Sequence, residues 1–242
     1  MDSQKVIDQI LSSNKYVVHR TNCDLAQLTL ILENIVESNN SENKVIYIIG
    51  GVAGGKSTLA NALAAKLSNT VVLSTDDYVI NTREWRRTEI VAKNKSPLLK
   101  YDQELFRKNV AELLKDPYTT VFLPKYDEFS GLAVAAPLEK YSKVERKPDY
   151  VIVEGDFMFL TDDGLKIYLH ASDELRANNR IERDRLKRNE IDVDKLKLDI
   201  KTRDEQQHFP FTLPNAENSD ILVVINKIED TYKYDLYIKN KI

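Results

Sequence analysis

Val45-Ile46-Tyr47-Ile48-Ile49-Gly50-Gly51-Val52-Ala53-Gly54-Gly55-Lys56-Ser57-Thr58 decides how this chain is read. It matches the pattern G-x-x-x-x-G-K-[ST], with Gly50, Gly55, Lys56 and Ser57 at the fixed places. Residues 45–49 form a β-branched run, and 59–67 carry apolar residues at helical spacing, so the spacing predicts strand, loop, helix. Glycines at 50, 51, 54 and 55 are expected to take positive φ, so that consecutive N–H groups of residues 50–58, Val52, Ala53 and Thr58 included, converge on phosphate oxygens. The positive end of the following helix adds to this cradle. Lys56 is then placed for the β- and γ-phosphates of ATP, and the Ser57 hydroxyl for the Mg²⁺ that bridges them.

Composition narrows the setting. A chain of 242 residues suits one sizeable α/β domain, alone or with appendages. The formal charge of -3 supplies no general basic field, so neither nucleic acid nor an anionic membrane is an expected partner. Cys23 is the single cysteine, which excludes an intramolecular disulfide and a thiolate-rich zinc site; His19, His170 and His208 share no metal-ligand spacing. Residues 1–11 are mixed acidic and polar rather than basic then apolar, and no apolar run approaches membrane-spanning length. A cytoplasmic enzyme is expected.

Ahead of the first core strand, residues 1–44 predict a helical extension. Val6, Ile7, Ile10 and Leu11 make one apolar stripe; Asp24 caps a second helix whose inner face is Leu25, Leu28, Leu32, Ile35 and Val36. This extension is expected as surface cover or as a subunit contact in a homo-oligomer. Residues 45–242 form the main domain. A strand at 70–74 ends in Thr75-Asp76-Asp77-Tyr78, and ligands of open α/β sheets gather at such ends, so the aspartates fall near the phosphates if this strand neighbours the first. They suit a catalytic base or a cap on the next turn. In an extended chain Asp76 and Asp77 would point to opposite sides.

Thr82-Arg83-Glu84-Trp85-Arg86-Arg87 is a basic stretch able to grip an anionic or polar acceptor, or a charged helix start. Residues 103–114 predict a helix, 121–124 a strand, and 126–144 a small projecting β-hairpin able to cover an acceptor pocket. Residues 149–156 read as an apolar strand ending in an acid, Glu154. Strands follow at 165–169 and 221–225, with an edge strand at 232–238. The helix at 172–188 is dense in arginine; Arg180, Arg183 and Arg188 can reach a phosphate from one helix, or the run is a solvated face. The fold expected is α/β, a doubly wound, mostly parallel sheet of the P-loop NTPase type.

The order of these motifs resembles a family. The P-loop at 50–58, Ser-Thr-Asp-Asp-Tyr at 74–78, Tyr-Asp-x-x-x-Phe at 101–106, Pro-Lys-Tyr-Asp at 124–127, Val-Glu-Gly at 153–155 and Arg-x-x-Arg-Asp at 180–184 resemble the uridine kinase, phosphoribulokinase and type I pantothenate kinase superfamily. The resemblance covers residues 45–225 and implies transfer of the ATP γ-phosphate, with Mg²⁺, to a hydroxyl of a small molecule: a nucleoside, sugar, sugar phosphate or vitamin precursor. It implies Asp76 as the base, Ser57 and Glu154 as the metal-associated pair, and Arg180 and Arg183 as phosphate contacts of a lid helix near 172–190; the arginine run adds Arg188 as a candidate nucleotide contact. Asp77, Tyr78, Arg83 and Tyr126 are the residues expected against the acceptor. Departures are visible: Lys95-Ser96-Pro97-Leu98 stands where uridine kinases carry a Phe-Asp pair, Glu190 where they carry a later lid arginine, and Ser130-Gly131 where they carry a histidine. A second reading, a nucleotide-hydrolysing switch protein, draws on Asn226-Lys227-Ile228-Glu229, which is similar to the guanine-reading Asn-Lys-x-Asp of GTPases except for its last residue.

Overall fold

Every residue of β2 (Val45–Gly50) is buried, as expected of a strand covered on both faces of a parallel sheet. In the computed structural model, which describes residues 2–13, 15–38, 44–127, 131–132, 141–156, 164–188 and 192–240, β2 is flanked by two parallel neighbours. The main sheet has seven strands: β1 (Tyr16–Cys23), β2, β3 (Thr70–Ser74), β6 (Tyr150–Gly155), β7 (Leu165–Ala171), β8 (Ile221–Ile228) and β9 (Thr231–Lys239). Their order is β1-β9-β8-β7-β2-β6-β3, with the five strands from β8 to β3 parallel and β9 and β1 antiparallel.

Side chains of β2 alternate between two cores. Ile46 and Ile48 face Leu28 and Leu32 of α2 (Leu25–Ser38) and Leu59 and Leu63 of α3 (Lys56–Ala64). Val45, Tyr47 and Ile49 face Ile7 of α1 (Ser3–Ser12) and Phe106, Val110 and Leu113 of α5 (Gln103–Leu114). The sheet is therefore doubly wound. Both expected N-terminal helices form, and α2 opens on a reciprocal cap in which Asp24 Oδ1 accepts from Gln27 N (2.8 Å) and Asp24 N donates to Gln27 Oε1 (3.1 Å). Between them lies a strand the sequence reading did not contain: β1 pairs with β9, so β9 is interior to the sheet rather than its edge.

β3 pairs with β6 and not with the P-loop strand. The carboxyl ends still align, since Glu154 is registered against both Ile48 and Ser74. After β3 the chain makes a 3₁₀ turn (Thr75–Tyr78), α4 (Arg83–Trp85) with a wider turn over Arg86–Val91, and a 3₁₀ turn over Pro97–Lys100. β4 (Val121–Leu123) pairs with β5 (Ser142–Val144), and Asp127 bridges to Leu132; residues 128–130 and 133–140, most of the expected 126–144 hairpin, lie outside the described residues. The arginine-rich segment is α6 (Asp173–Arg188), followed by α7 (Val193–Arg203), a wide helical stretch (Asp204–Thr212) and α8 (Asn215–Asn218). Among the described residues no helix is long and apolar enough to cross a membrane.

Candidate active site

The phosphate loop joins β2 to α3 through a left-handed Gly55 (φ +84). The other positive φ in the loop belongs to Ala53 (+58), not to Gly50, Gly51 or Gly54 as expected. Gly50 is required for a different reason: a Cβ there would stand 2.2 Å from the Leu169 carbonyl oxygen of β7. The turn is closed by Gly54 N donating to Gly51 O at 3.1 Å. Its outer carbonyl, Ala53 O, accepts from Asn179 Nδ2 of α6 (3.2 Å), whose Oδ1 accepts from Tyr232 OH (2.8 Å). The loop, α6 and the β8–β9 hairpin are thereby linked.

A cavity of about 1100 Å³ opens over this loop. Lys56 lies at its floor, buried, with Nζ donating to Gly51 O (2.9 Å) and paired with Asp156 at 2.7 Å. Arg203 at the end of α7 approaches the other oxygen of Asp156 at 3.6 Å. Burial alone would raise the Asp156 pKa, but Lys56, Arg203 and Lys100 together hold it well below the usual carboxylate range. Ser57 and Thr58 are exposed on the same cavity wall. Glu154, at the end of β6, is buried; desolvation pushes its pKa up, against Lys56 and a hydrogen bond with Ser74.

Of the two aspartates after β3, both lining the cavity, Asp76 is exposed while Asp77 is buried. They are separated not by strand alternation, as expected, but by the 3₁₀ turn, in which successive side chains diverge by about 120°. Asp77 Oδ1 accepts from Tyr126 N (2.8 Å) and Oδ2 from Lys125 Nζ (3.3 Å), so this carboxylate anchors the 124–127 segment and sets Tyr126 on the cavity wall. Tyr78 does not reach the cavity: it is core, edge-on to Phe106, its hydroxyl accepting from Asn109 Nδ2 at 3.2 Å. Arg83 does line the cavity, packed beside Gly131.

Helix α6 presents Arg180 and Arg183 to the cavity, both against the fully buried Asp184 (3.5 and 3.1 Å). Burial, helped by Arg203, lowers the Arg180 pKa. Arg188 is at the end of α6, and its side chain lies outside the described residues. Arg176, one turn earlier, packs over Gly51 and is held by Asp204 (2.9 Å) and Asp173 (2.8 Å), so it ties the start of α6 to the phosphate loop.

Three residues of the site were missed. Asp156 stood two positions beyond Glu154 on the same strand, and its alternation signal was available. Arg203 lies beyond the helix that was read, behind an Asp192 cap and a Leu196/Ile200 stripe. Lys100, buried in the cavity wall 4.6 Å from the Tyr101 ring centroid, carries no local signal. Asn226 and Lys227, which suggested a guanine reader, lie within β8; Asn226 Nδ2 donates to Asp235 Oδ2 of β9 at 2.9 Å.

No family model matches the chain. It is 28% identical over 164 residues to a uridine kinase of Lactiplantibacillus plantarum, covering 62% of this chain and 72% of that one. A uridine kinase of Borrelia duttonii is 25% identical over 185 residues, 74% and 85% of the two chains. Among solved structures the YGR205w protein shares the fold, with a TM-score of 0.60 over 88% of this chain and 99% of that one, at 16% identity. The phosphate loop, the doubly wound sheet and these sequence relatives together identify a P-loop kinase, similar over most of its length to uridine kinases.

Proposed function

We propose that the protein moves the γ-phosphoryl group of ATP to a hydroxyl of a small acceptor, with Asp76 as the general base. One observation carries the reading: a single cavity is lined by both the Lys56 cradle and an exposed carboxylate, Asp76. Phosphoryl transfer asks little covalent chemistry of the protein and much positioning and charge, which suits a site whose cations include Lys56, Arg180, Arg183 and Arg203. The base must lie within hydrogen-bond reach of the acceptor hydroxyl, and Asp76, unlike Asp77, has its carboxylate facing open space.

The residues fit a divalent cation. Glu154 is a buried carboxylate whose ionised form lacks full compensation, and Ser57 offers a hydroxyl from the same wall. Mg²⁺ bound there with the nucleotide would supply charge neutralisation at the phosphate oxygens. Lys56 holds the phosphates, Arg180 and Arg183 meet charge that grows during transfer, and the arginines of α6 and α7 exclude water when the lid is closed. The deciding experiment is ADP release with ATP and Mg²⁺ across a panel of nucleosides, sugars, sugar phosphates and vitamin precursors. Release that depends on one acceptor class supports the assignment. Release independent of every acceptor would favour a hydrolytic switch.

A further inference from the structure

Ser3 stands where the inner stripe of α1 calls for an apolar residue. It precedes Ile7 by four positions on the same helix face, and both are fully buried. A buried hydroxyl is costly unless it is bonded, and this one donates to Asp173 Oδ1 at 2.5 Å, while Ser3 N donates to Oδ2 at 3.3 Å. We propose that Ser3 is a positioning residue for the phosphate loop, acting through Asp173 and Arg176, so that the N-terminal helix sets how tightly nucleotide binds. The proposal goes beyond the kinase reading and rests on it only for the identity of the loop's ligand.

Each link is a direct contact. Asp173 Oδ1, the oxygen that takes the Ser3 hydroxyl, also accepts from Arg176 Nη2 at 2.8 Å. Arg176 is 2% exposed, and its two terminal nitrogens donate to the two oxygens of Asp204 at 3.0 and 2.9 Å. The same guanidinium lies against the backbone of Gly51: a Cβ there would stand 2.8 Å from Arg176 Cδ and 2.9 Å from Nη1. The Gly51 carbonyl in turn accepts from Lys56 Nζ (2.9 Å) and Gly54 N (3.1 Å). The first turn of the loop therefore rests on a side chain whose place is set by Asp173 and Asp204. Interiors this close-packed transmit displacement, so an Arg176 that shifts carries the Gly51 peptide with it.

The carboxylate is built to stay charged where the two helices meet. Burial works against its ionised form, but the Ser3 hydroxyl and N–H, with Arg176, hold the Asp173 pKa below the usual carboxylate value. Its place at the first turn of α1 also sets it against the positive end of that helix. A second polar contact runs beside it: Gln4 Oε1 lies 3.1 Å from His170 Nε2, three residues before Asp173. Ile7 fixes the helix from below, in one core with Tyr47, Tyr168 and Leu213. Surface cover alone would need only that apolar face; the polar end is what reaches the loop.

The test measures, on the full chain, the Kd of a non-hydrolysable ATP analogue with Mg²⁺ by calorimetry, and Tm in the absence of nucleotide. Ser3→Ala is expected to weaken the analogue about three- to tenfold, the range for a residue that touches no ligand. Asp173→Asn should weaken it at least as much, and Ser3→Ala added to Asp173→Asn should cost no more than about a further twofold, because both act through one path. Ile7→Val supplies the comparison: it loosens the same helix in its core and should lower Tm while analogue affinity stays within about twofold. If Ser3→Ala and Asp173→Asn lose Tm but bind as the wild type does, the contact is structural and the proposal is overturned. Fully additive losses in the double variant overturn it as well. So does an affinity loss in Ile7→Val equal to that in Ser3→Ala, which would tie binding to the stability of α1 rather than to the carboxylate. Those three outcomes leave the kinase reading standing, whereas wild-type protein that binds no analogue contradicts that reading itself and the proposal with it.

Discussion

The two halves of the cavity are built in different ways. The nucleotide half is one uninterrupted stretch, β2, residues 51–55 and α3, reinforced by Asp156 from the neighbouring strand. The acceptor half is gathered from the 3₁₀ turn after β3, the basic segment at 83–91, the turn at 97–100 and the 124–127 segment, held together by contacts such as Asp77 to Tyr126 and Arg86 to Gly131. A contiguous loop closes on an anion by local geometry. An assembled wall owes its shape to long-range contacts, and each can be altered without disturbing the phosphate loop. The nucleotide half should therefore tolerate little, and the acceptor half should change what is phosphorylated before it changes whether ATP binds.

The sharpest break of that contrast is at the base. Asp76→Asn keeps the side-chain shape and removes the proton acceptor, and should lower transfer by about 10²–10⁴-fold with nucleotide affinity little changed. Asp77→Asn, which weakens the hold on Tyr126, should act mainly on acceptor KM. Single-turnover transfer separates the two; the reverse outcome would place the base on Asp77.

On the nucleotide side Lys56→Met should lower turnover by about 10²–10³-fold. It also leaves the half-buried Asp156 with only Arg203 at 3.6 Å, so a stability loss of up to about 3 kcal/mol is expected, larger than for a surface loop. Lys56→Met combined with Asp156→Asn should regain stability but not turnover. Recovery of both would mean that the pair is structural. Denaturant unfolding and ADP release, measured on the same samples, decide it.

At the lid, Arg183→Ala should reduce kcat by about ten- to a hundredfold and move the KM for ATP less, because the charge it meets is largest in the transition state. Equal change in both would make it a ground-state contact.

The smallest effect lies outside the cavity. His170 and His208 are buried, and desolvation, aided by Arg176, lowers their pKa values to about 4 and about 3. Both ring nitrogens of His208 lack a hydrogen-bond partner among the described residues. Below the unfolded value near 6.5 the unfolded chain binds protons that the folded chain refuses, so stability should fall as pH drops from about 6.5 toward 4. Each histidine contributes up to about 1.4 kcal/mol per pH unit. His208→Leu should flatten the pH dependence of Tm; an unchanged slope would remove His208 from the account.

The same contrast explains what could be read from the chain. The phosphate loop, the alternation of β2 and the Leu28/Leu32/Val36 stripe of α2 were legible because their signals are local: fixed spacing, period two, period 3.6. β1 was not, because its eight residues bury only Tyr16 and Cys23 and its place is set by pairing with β9. Tyr78 was assigned to the acceptor from its position after a strand, but the 3₁₀ turn rotates it into the core. Lys100 and Arg203 entered the site through tertiary contacts that neither motif nor period marks.

The most direct test is ADP release from ATP and Mg²⁺ with and without the acceptor that gives the highest turnover, in the wild-type protein and in Asp76→Asn. The account predicts release that requires the acceptor and falls by at least about a hundredfold in the variant. Release at one rate with or without any acceptor, and unaltered by Asp76→Asn, would contradict it.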